Sequence, residues 1–142
     1  MIKAVIDISV FVAGFLTKNK VSSPAQIISI WRAGGFTLVM SPQIWQELVA
    51  KLIEKEIDQE IIVDLIKVIG KIGLHIKGAY EVTRLDPVDP DDNKFLAATL
   101  ESQADYLVSL DKKHTLPLKH YKGTQIITPD LFIRALMTEQ AD

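Results

Sequence analysis

Acidic residues at four places along the chain are the side chains best suited to chemistry. Asp7 ends an apolar run, Glu47 lies early in a helical stretch, three aspartates fall within residues 89–92, and Asp111 follows another apolar run. Carboxylates that are brought together repel one another and raise each other's pKa unless a cation lies among them. Their hard oxygen atoms suit Mg²⁺ or Mn²⁺, and such an ion can activate water and stabilise charge on a phosphodiester.

The elements that must position these acids alternate between short apolar runs and longer helical ones. Predicted strands cover residues 3–7, 36–40, 74–76, 105–110 and 124–127, with a weaker strand at 81–85. Predicted helices cover residues 9–16, 24–34, 42–52 and 58–72, and two more begin at Asp89 and Pro129. Strands separated by helices imply right-handed crossovers, so we predict an α/β fold, a three-layer sandwich with a central parallel sheet flanked by helices. All four acidic places map beyond the carboxyl ends of strands, where such sheets form their functional crevice.

Composition limits the class of protein. With 142 residues, 48% of them hydrophobic and 24% charged, the chain has the size and mix of one soluble globular domain, which we place at residues 1–142. The absence of cysteine excludes disulfides, thiolate zinc sites, iron–sulfur clusters and cysteine nucleophiles. A formal net charge of −2 excludes a strongly basic nucleic-acid coat but leaves room for a local basic patch.

Targeting and nucleotide-binding motifs are not evident in the sequence. No apolar run approaches the roughly 20 residues of a membrane span, and the start lacks a secretory cleavage pattern. We therefore expect a cytoplasmic protein without membrane contact. Neither a phosphate-binding loop ending in Gly-Lys-Ser/Thr nor a glycine-rich dinucleotide motif is found, which disfavours nucleotide-driven motors and dehydrogenases.

Each aspartate also has a purely structural interpretation. Asp7 and Asp111 suit a helix cap or a turn. Asp89 fits an N-cap before Pro90, and Asp92 lies three residues further on, in a capping-box position. A helix dipole stabilises aspartates at this end of a helix without any function. Their shared location, rather than any single residue, is what favours a site.

Two further signals are weaker. On a helical wheel at about 100° per residue, Glu47 lies about 60° outside Ile44, at the border of the apolar stripe, which favours a solvent-exposed side chain. Lys112, Lys113 and His114 place positive charge directly after the last acid and can contact phosphate groups. An ordinary solvated loop explains these three residues as well.

The acidic places lie within motifs that resemble those of the PIN domain, a metal-dependent nuclease fold. In order, the motifs are Val5-Ile-Asp7-Ile-Ser9-Val-Phe-Val12, Leu38-Val-Met-Ser41-Pro-Gln-Ile-Trp-Gln-Glu47-Leu, Asp89-Pro-Asp-Asp92-Asn-Lys-Phe-Leu-Ala-Ala98, Ala104-Asp-Tyr-Leu-Val-Ser109-Leu-Asp111, and Ile126-Ile-Thr-Pro129 followed by Phe132. They cover nearly the whole chain in the family's order. The chain is similar to a bacterial and archaeal subgroup described as toxin components of toxin–antitoxin pairs, related to VapC-type ribonucleases.

The resemblance implies a role for each matching residue. The metal-binding and catalytic acids would be Asp7, Glu47, Asp92 and Asp111. Asp89 is a nearby competitor for the third position, and Asp91 is a more distant one. The resemblance therefore leaves the identity of the third acid open among the three aspartates.

Two serines fit the family pattern and two residues depart from it. Ser9 would orient the first aspartate, and Ser109 stands where the fourth motif commonly has threonine. Ile8 replaces the usual threonine of the first motif, and Leu110 replaces the usual glycine before Asp111. These departures favour an alternative function, a catalytically silent PIN-like module that binds RNA or protein.

The activity implied by the resemblance is that of a Mg²⁺- or Mn²⁺-dependent endoribonuclease, a phosphodiester hydrolase that cleaves single-stranded RNA. The implied partners are an antitoxin protein and a second copy of the chain in a homodimer. A receiver-type phosphoacceptor protein is a third hypothesis. It is disfavoured because neither a paired acid after the first strand nor a lysine at the end of the last strand is evident.

Overall fold

A six-stranded sheet forms the centre of the computed structural model, which describes the backbone of residues 1–141 and the side chains of residues 1–139. The strands are β1 (Lys3–Ile6), β2 (Thr37–Met40), β3 (Leu74–His75), β4 (Tyr106–Val108), β5 (His120–Tyr121) and β6 (Thr124–Ile127). Their order across the sheet is β3-β2-β1-β4-β6-β5. Neighbouring strands are parallel except for β5 and β6, which are antiparallel.

Within residues 1–141, six helices flank this sheet and confirm the predicted α/β sandwich. They are α1 (Ile8–Leu16), α2 (Ser23–Arg32), α3 (Pro42–Glu54), α4 (Gln59–Ile72), α5 (Asn93–Ser102) and α6 (Pro129–Ala141). Several begin at side-chain caps, because the side chains of Ser22, Ser41 and Asp58 accept hydrogen bonds from backbone N–H groups of the first turn. Within residues 1–141, no helix is long and apolar enough to span a bilayer.

The strand order reverses beside β1. The chain passes from β1 to β2 and β3 on one side, and then returns to β4 on the other side. A reversal of this kind opens a crevice at the carboxyl ends of the two strands that flank it. Ile6 pairs with Val108, and the backbone N–H of Asp7 donates to the carbonyl of Val108 at 2.9 Å. The residues that follow β1 and β4 therefore begin at the same level of the sheet.

A hydrophobic core holds the central strands β1 and β4 in place. Four residues of these two strands have no exposed surface: Ala4, Val5, Leu107 and Val108. Phe132 of α6 packs edge-on against the rings of Phe36 and Tyr106, with centroids 5.0 and 5.8 Å apart. Helix α5 contributes Phe95 and Leu96, which are also buried. Tight packing of this kind gives the strand ends a rigid base.

The weaker strand predicted at residues 81–85 is wrong, because this stretch forms turns and irregular chain. Side chains of α5 accept hydrogen bonds from backbone N–H groups in and near this stretch. The carboxylate of Glu101 accepts hydrogen bonds from the N–H groups of residues 77–79, and Oδ1 of Asn93 accepts one from Leu85 at 2.8 Å. Backbone groups that are paired in this way need no neighbouring strand.

Two other elements differ from the prediction. The helix expected from Asp89 begins as a single 3₁₀ turn over Pro90–Asp92 before α5 starts. The short edge strand β5 was not expected, and it makes the sheet mixed rather than wholly parallel. It joins β6 through Lys122 and Gly123, whose φ angles of 46° and 92° are both positive. This is the backbone of a type I′ hairpin turn.

Candidate active site

One pocket of about 500 Å³ is lined by all four acids that the sequence singled out: Asp7, Glu47, Asp92 and Asp111. The fold explains why they meet. Asp7 follows β1 and Asp111 follows β4, at the two strand ends where the order of the sheet reverses. Glu47 comes from the second turn of α3, and Asp92 lies immediately before α5, which packs against β1, β4 and α3.

Asp7 lies at the bottom of the pocket and is 7% exposed. Its carboxylate caps α1 by accepting the N–H of Ser9 at 3.4 Å, and it accepts the hydroxyl of Ser109 at 2.7 Å. Burial raises the pKa of Asp7, and the charge of Asp111 raises it further, although the bonds from the two serines oppose this rise. The capping role and the pocket position therefore coexist in one side chain.

Ser9 is placed to complete this end of the pocket. Its hydroxyl lies close enough to Asp7 to lower the pKa of that carboxyl slightly. Among the residues that the structure describes, however, no group makes a well-formed hydrogen bond to this buried oxygen. A buried hydroxyl without a partner is costly, so a water molecule or a ligand atom in the pocket would stabilise it.

Asp111 is held by its own loop. Its carboxylate accepts the backbone N–H groups of Lys113 and His114 at 3.1 and 3.2 Å and the hydroxyl of Thr115 at 3.1 Å. Burial raises the pKa of Asp111, but these three bonds and the nearby His114 outweigh that effect, so the pKa lies below its usual range. Asp111 is therefore ionised throughout the neutral range, and its geometry is fixed in advance.

The carboxyl of Asp92 has a strongly raised pKa. It precedes α5 without making a side-chain capping bond, whereas Asp89 caps the 3₁₀ turn by accepting the N–H of Asp91 at 3.2 Å. The capping-box interpretation of Asp92 is therefore wrong. Burial, and then the negative charges of Asp7, Asp89 and Asp111, raise the pKa of Asp92 to about 7. A positive charge placed beside it would relieve this repulsion.

Glu47 is half-buried rather than solvent-exposed, contrary to the helical-wheel interpretation. The Nζ of Lys94, in the first turn of α5, forms an ion pair with its Oε2. Burial lowers the pKa of Lys94, and the charge of Asp7 partly offsets this. Lys94 therefore supplies positive charge to two of the four carboxylates. The wheel could not show this because the partner comes from another helix.

The tightest group of possible metal ligands is Asp89, Asp92 and His114, with one ligand atom from each lying within 4.8 Å of the others. In the part of the chain that the structure describes, the four pocket acids do not form a group this compact. The Nδ1 of His114 also lies 3.8 Å from Oδ2 of Asp111. His114 thus faces the carboxylates, while Lys112 and Lys113 are exposed and do not line the pocket.

Lys51 and Lys55 line the pocket and were not singled out from the sequence. They lie on α3 and at its C-cap, four and eight residues after Glu47, so one helix face carries the acid and both lysines. The spacing of four residues from Glu47 to Lys51 and from Lys51 to Lys55 is the pattern from which the sequence could have predicted both lysines. Leu110, one of the two departures from the family pattern, also lines the pocket and is 39% exposed.

The side chains of the pocket fit a hard divalent cation. Burial, and to a lesser degree the repulsion between neighbouring carboxylates, raises the pKa values of Asp7 and Asp92. The unpartnered hydroxyl of Ser9 adds another oxygen. Oxygen donors with excess negative charge are the chemistry that Mg²⁺ and Mn²⁺ prefer.

Comparison with known proteins agrees with this geometry. The PIN domain family matches residues 3–113, a range that contains all four acids. A chain in the crystal structure of VapBC2 from Rickettsia felis, bound to a DNA fragment from their promoter, is similar in fold, with a TM-score of 0.59 and 12% sequence identity. The superposition covers 89% of this chain and 98% of that one. No curated protein matches the sequence. Since the family match spans well over half of the chain, the protein belongs to the PIN domain family.

Proposed function

We propose that the protein is a metal-dependent endoribonuclease that cleaves single-stranded RNA and acts as the toxin of a toxin–antitoxin pair. The observation that carries this proposal is the convergence of four carboxylates in one pocket at the point where the strand order reverses. Membership of the PIN domain family supports a nuclease, and the fold likeness to a VapBC2 chain supports the toxin assignment.

Asp7, Glu47, Asp92 and Asp111 are the proposed ligands of one or two Mg²⁺ or Mn²⁺ ions. A bound ion of this kind supplies Lewis-acid stabilisation to the charge that develops on the phosphodiester and lowers the pKa of water. Asp111 is held in position by its loop, and Ser109 fixes Asp7 through a hydrogen bond of 2.7 Å. These two acids thus need little reorganisation during the reaction.

Asp92 is the acid best able to hold or move a proton. Without a bound ion its pKa is about 7, so its carboxyl is near half-protonation at neutral pH, and a divalent cation that binds there displaces this proton. We therefore assign the third acidic position to Asp92. Asp89 serves as the cap of the 3₁₀ turn, and Asp91 is exposed and does not line the pocket.

The proposed partners are an antitoxin protein and a second copy of the chain, and the proposed location is the cytoplasm, where RNA is abundant. Helix α4 supports a protein interface, because it leaves several large apolar side chains more than 40% exposed: Ile61, Val63, Ile66 and Ile72. These side chains flank both sides of the buried face of α4, which is formed by Ile62, Leu65 and Ile69, and their exposed apolar surface is available to a partner protein.

Cleavage of labelled single-stranded RNA in the presence of Mn²⁺ tests the activity. Wild-type protein is compared with Asp7→Asn, which removes a buried pocket charge, and with Asp64→Asn as a matched control. Asp64 lies on α4 and pairs with Arg32 at 2.8 Å, away from the pocket. We expect cleavage by the wild type and the Asp64 variant, and its loss in the Asp7 variant.

Two outcomes would count against the proposal. Equal cleavage by all three proteins would mean that a contaminant is responsible. Binding of several RNAs without cleavage by the wild type, in either Mg²⁺ or Mn²⁺, would favour the catalytically silent binding module instead. Ile8 and Leu110 would then be the first residues to restore to threonine and glycine.

A further inference from the structure

The pocket has two walls of different chemistry above its carboxylates. One wall is α3, from which Lys51 and Lys55 face the pocket. The other combines apolar residues of α1 with Leu110 from the end of β4. A groove that is basic on one side and apolar on the other matches the two parts of a nucleotide, the charged phosphate and the flat base.

Lys51 and Lys55 supply the positive charge that a polyanionic substrate needs in this acidic pocket. A polyanion that approaches four carboxylates is repelled, and the positive charge of Lys94 is already used by Glu47. Among the residues that the structure describes, Lys51 forms an ion pair with Glu54 alone, at 3.2 Å, and their side chains are 43% and 62% exposed. An exposed pair one helical turn apart is weak and is readily exchanged for a phosphate. Lys55 is exposed at the end of α3.

The apolar wall is partly open to solvent. Leu110 is 39% exposed beside Asp111, and Val12 and Ala13 of α1 are partly buried. An exposed leucine next to a catalytic carboxylate gains by covering its surface with an apolar face. The face of a nucleobase is available only where the base is not stacked in a duplex. This wall therefore favours a single strand.

We propose that this pocket holds one nucleotide of a single-stranded RNA, with its phosphate on Lys51 and Lys55 and its base against Val12 and Leu110. The inference rests on the proposed nuclease function and adds the substrate-binding residues to it. It also moves the main phosphate contact from the loop at Lys112 and Lys113, which the sequence suggested, to the helix that carries Glu47.

Binding measured in the Asp7→Asn background tests the lysines without interference from cleavage. The dissociation constant of a short labelled single-stranded RNA is followed against salt concentration. Each phosphate of a single strand that the protein neutralises adds about 0.7 to the slope of log K against log salt, so removing both lysines from one phosphate, by Lys51→Gln with Lys55→Gln, is expected to lower the slope by about 0.7. Lys67→Gln with Lys71→Gln, the same change on α4, is the matched control and should leave the slope unchanged.

The apolar wall is tested by Leu110→Ala in the same background. Removing three exposed carbons that pack on a base is expected to weaken binding on the order of tenfold, with the salt slope unchanged because both lysines still bind phosphate. Leu131→Ala, at a leucine that is 47% exposed on α6, is the control and should bind like the parent. Thermal melting verifies that each variant is folded.

The outcomes separate this inference from the function on which it rests. If the wild type does not cleave RNA and the Asp7→Asn protein does not bind it, the proposed function fails and the inference falls with it. If the wild type cleaves RNA and the Asp7→Asn protein binds it, but the Lys51 and Lys55 substitutions leave affinity and slope unchanged, only the inference is overturned. A slope that falls instead on Lys112→Gln with Lys113→Gln would place the phosphate on that loop and would also overturn it.

Discussion

Asp92 and Asp111 reach the same pocket from two loops that treat a carboxylate in opposite ways. The loop after β4 gives Asp111 two backbone N–H groups and the Thr115 hydroxyl, and the pKa of Asp111 falls. The turn before α5 partly buries Asp92 and places it near Asp7 and Asp89, and burial followed by these negative charges raises the pKa of Asp92 to about 7.

The difference shows how one site can hold both a permanent charge and a titrating group. The hydrogen-bond donors of its own loop stabilise the negative charge of Asp111, so its carboxylate stays ionised and fixed in position at neutral pH. Asp92 depends on a positive charge from outside the protein, or on a proton, to offset its neighbours. Groups whose environments push their pKa values apart are typical of acid–base and metal sites.

Removing the difference between Asp92 and Asp111 is expected to have its largest effect on the rate of RNA cleavage. Asp92→Asn removes the titrating group and should lower RNA cleavage by about 10²–10⁴-fold. Asp91→Asn, one residue away but exposed and outside the pocket, should retain cleavage. Rates measured at saturating Mn²⁺ compare the two variants. A stronger loss in the Asp91 variant would assign the third acidic position differently.

The next effect is on stability against pH, measured by urea denaturation without divalent ions. The pKa of Asp92 rises from 3.8 in the unfolded chain to about 7 in the fold, so the unfolded state loses this proton first. Wild-type stability should therefore fall as pH rises from about 4 to about 7. Since Asp92 is partly exposed, solvent screening limits the loss to about 1–2 kcal/mol.

Asp92→Asn sharpens that measurement. The substitution should make the free energy of unfolding depend less on pH between about 4 and about 7. The variant should be more stable than the wild type at neutral pH, although we expect it to be catalytically inactive. Asp111 acts with the opposite sign, because its lowered pKa contributes stability that is lost as the pH falls below about 4. A wild-type profile that rises from pH 4 to 7 would contradict the position assigned to Asp92.

The smallest effect concerns the donors of the Asp111 loop. Thr115→Val removes the hydroxyl that donates to Asp111 from a residue that is 1% exposed, and should cost about 1 kcal/mol in the free energy of unfolding. Thr138→Val, at an exposed threonine of α6, serves as the control. Equal stability of the two variants would mean that this hydroxyl does not hold the loop.

The sequence predicted the meeting of the acids because strand ends are easy to recognise. The apolar runs before Asp7 and Asp111 mark two strands, and the carboxyl ends of parallel strands share one edge of a sheet. The sequence also predicted correctly that Ser41 caps α3. The cap sets where α3 begins and therefore places Glu47 in its second turn. Local signals of this kind depend only on neighbours in the chain.

Features that depend on contacts between distant residues were missed. The ion pair of Lys94 with Glu47 joins two helices, so the exposure of Glu47 was misjudged. The stretch at residues 81–85 resembles a strand, but the carboxylate of Glu101 and the amide of Asn93 hold the chain around it in turns. The raised pKa of Asp92 likewise arises first from burial and then from the charges of neighbouring acids, of which Asp7 and Asp111 are brought close only by the fold.

Titration of the protein with Mn²⁺ in a calorimeter, at pH about 8 and at pH about 6, tests the central claim most directly. We expect the wild type to bind Mn²⁺ more weakly at the lower pH, because protons compete for Asp92. Asp92→Asn should weaken binding by about 10-fold or more at the higher pH. Binding that is unaffected by this substitution, or no binding at either pH, would contradict a cation site built on these carboxylates.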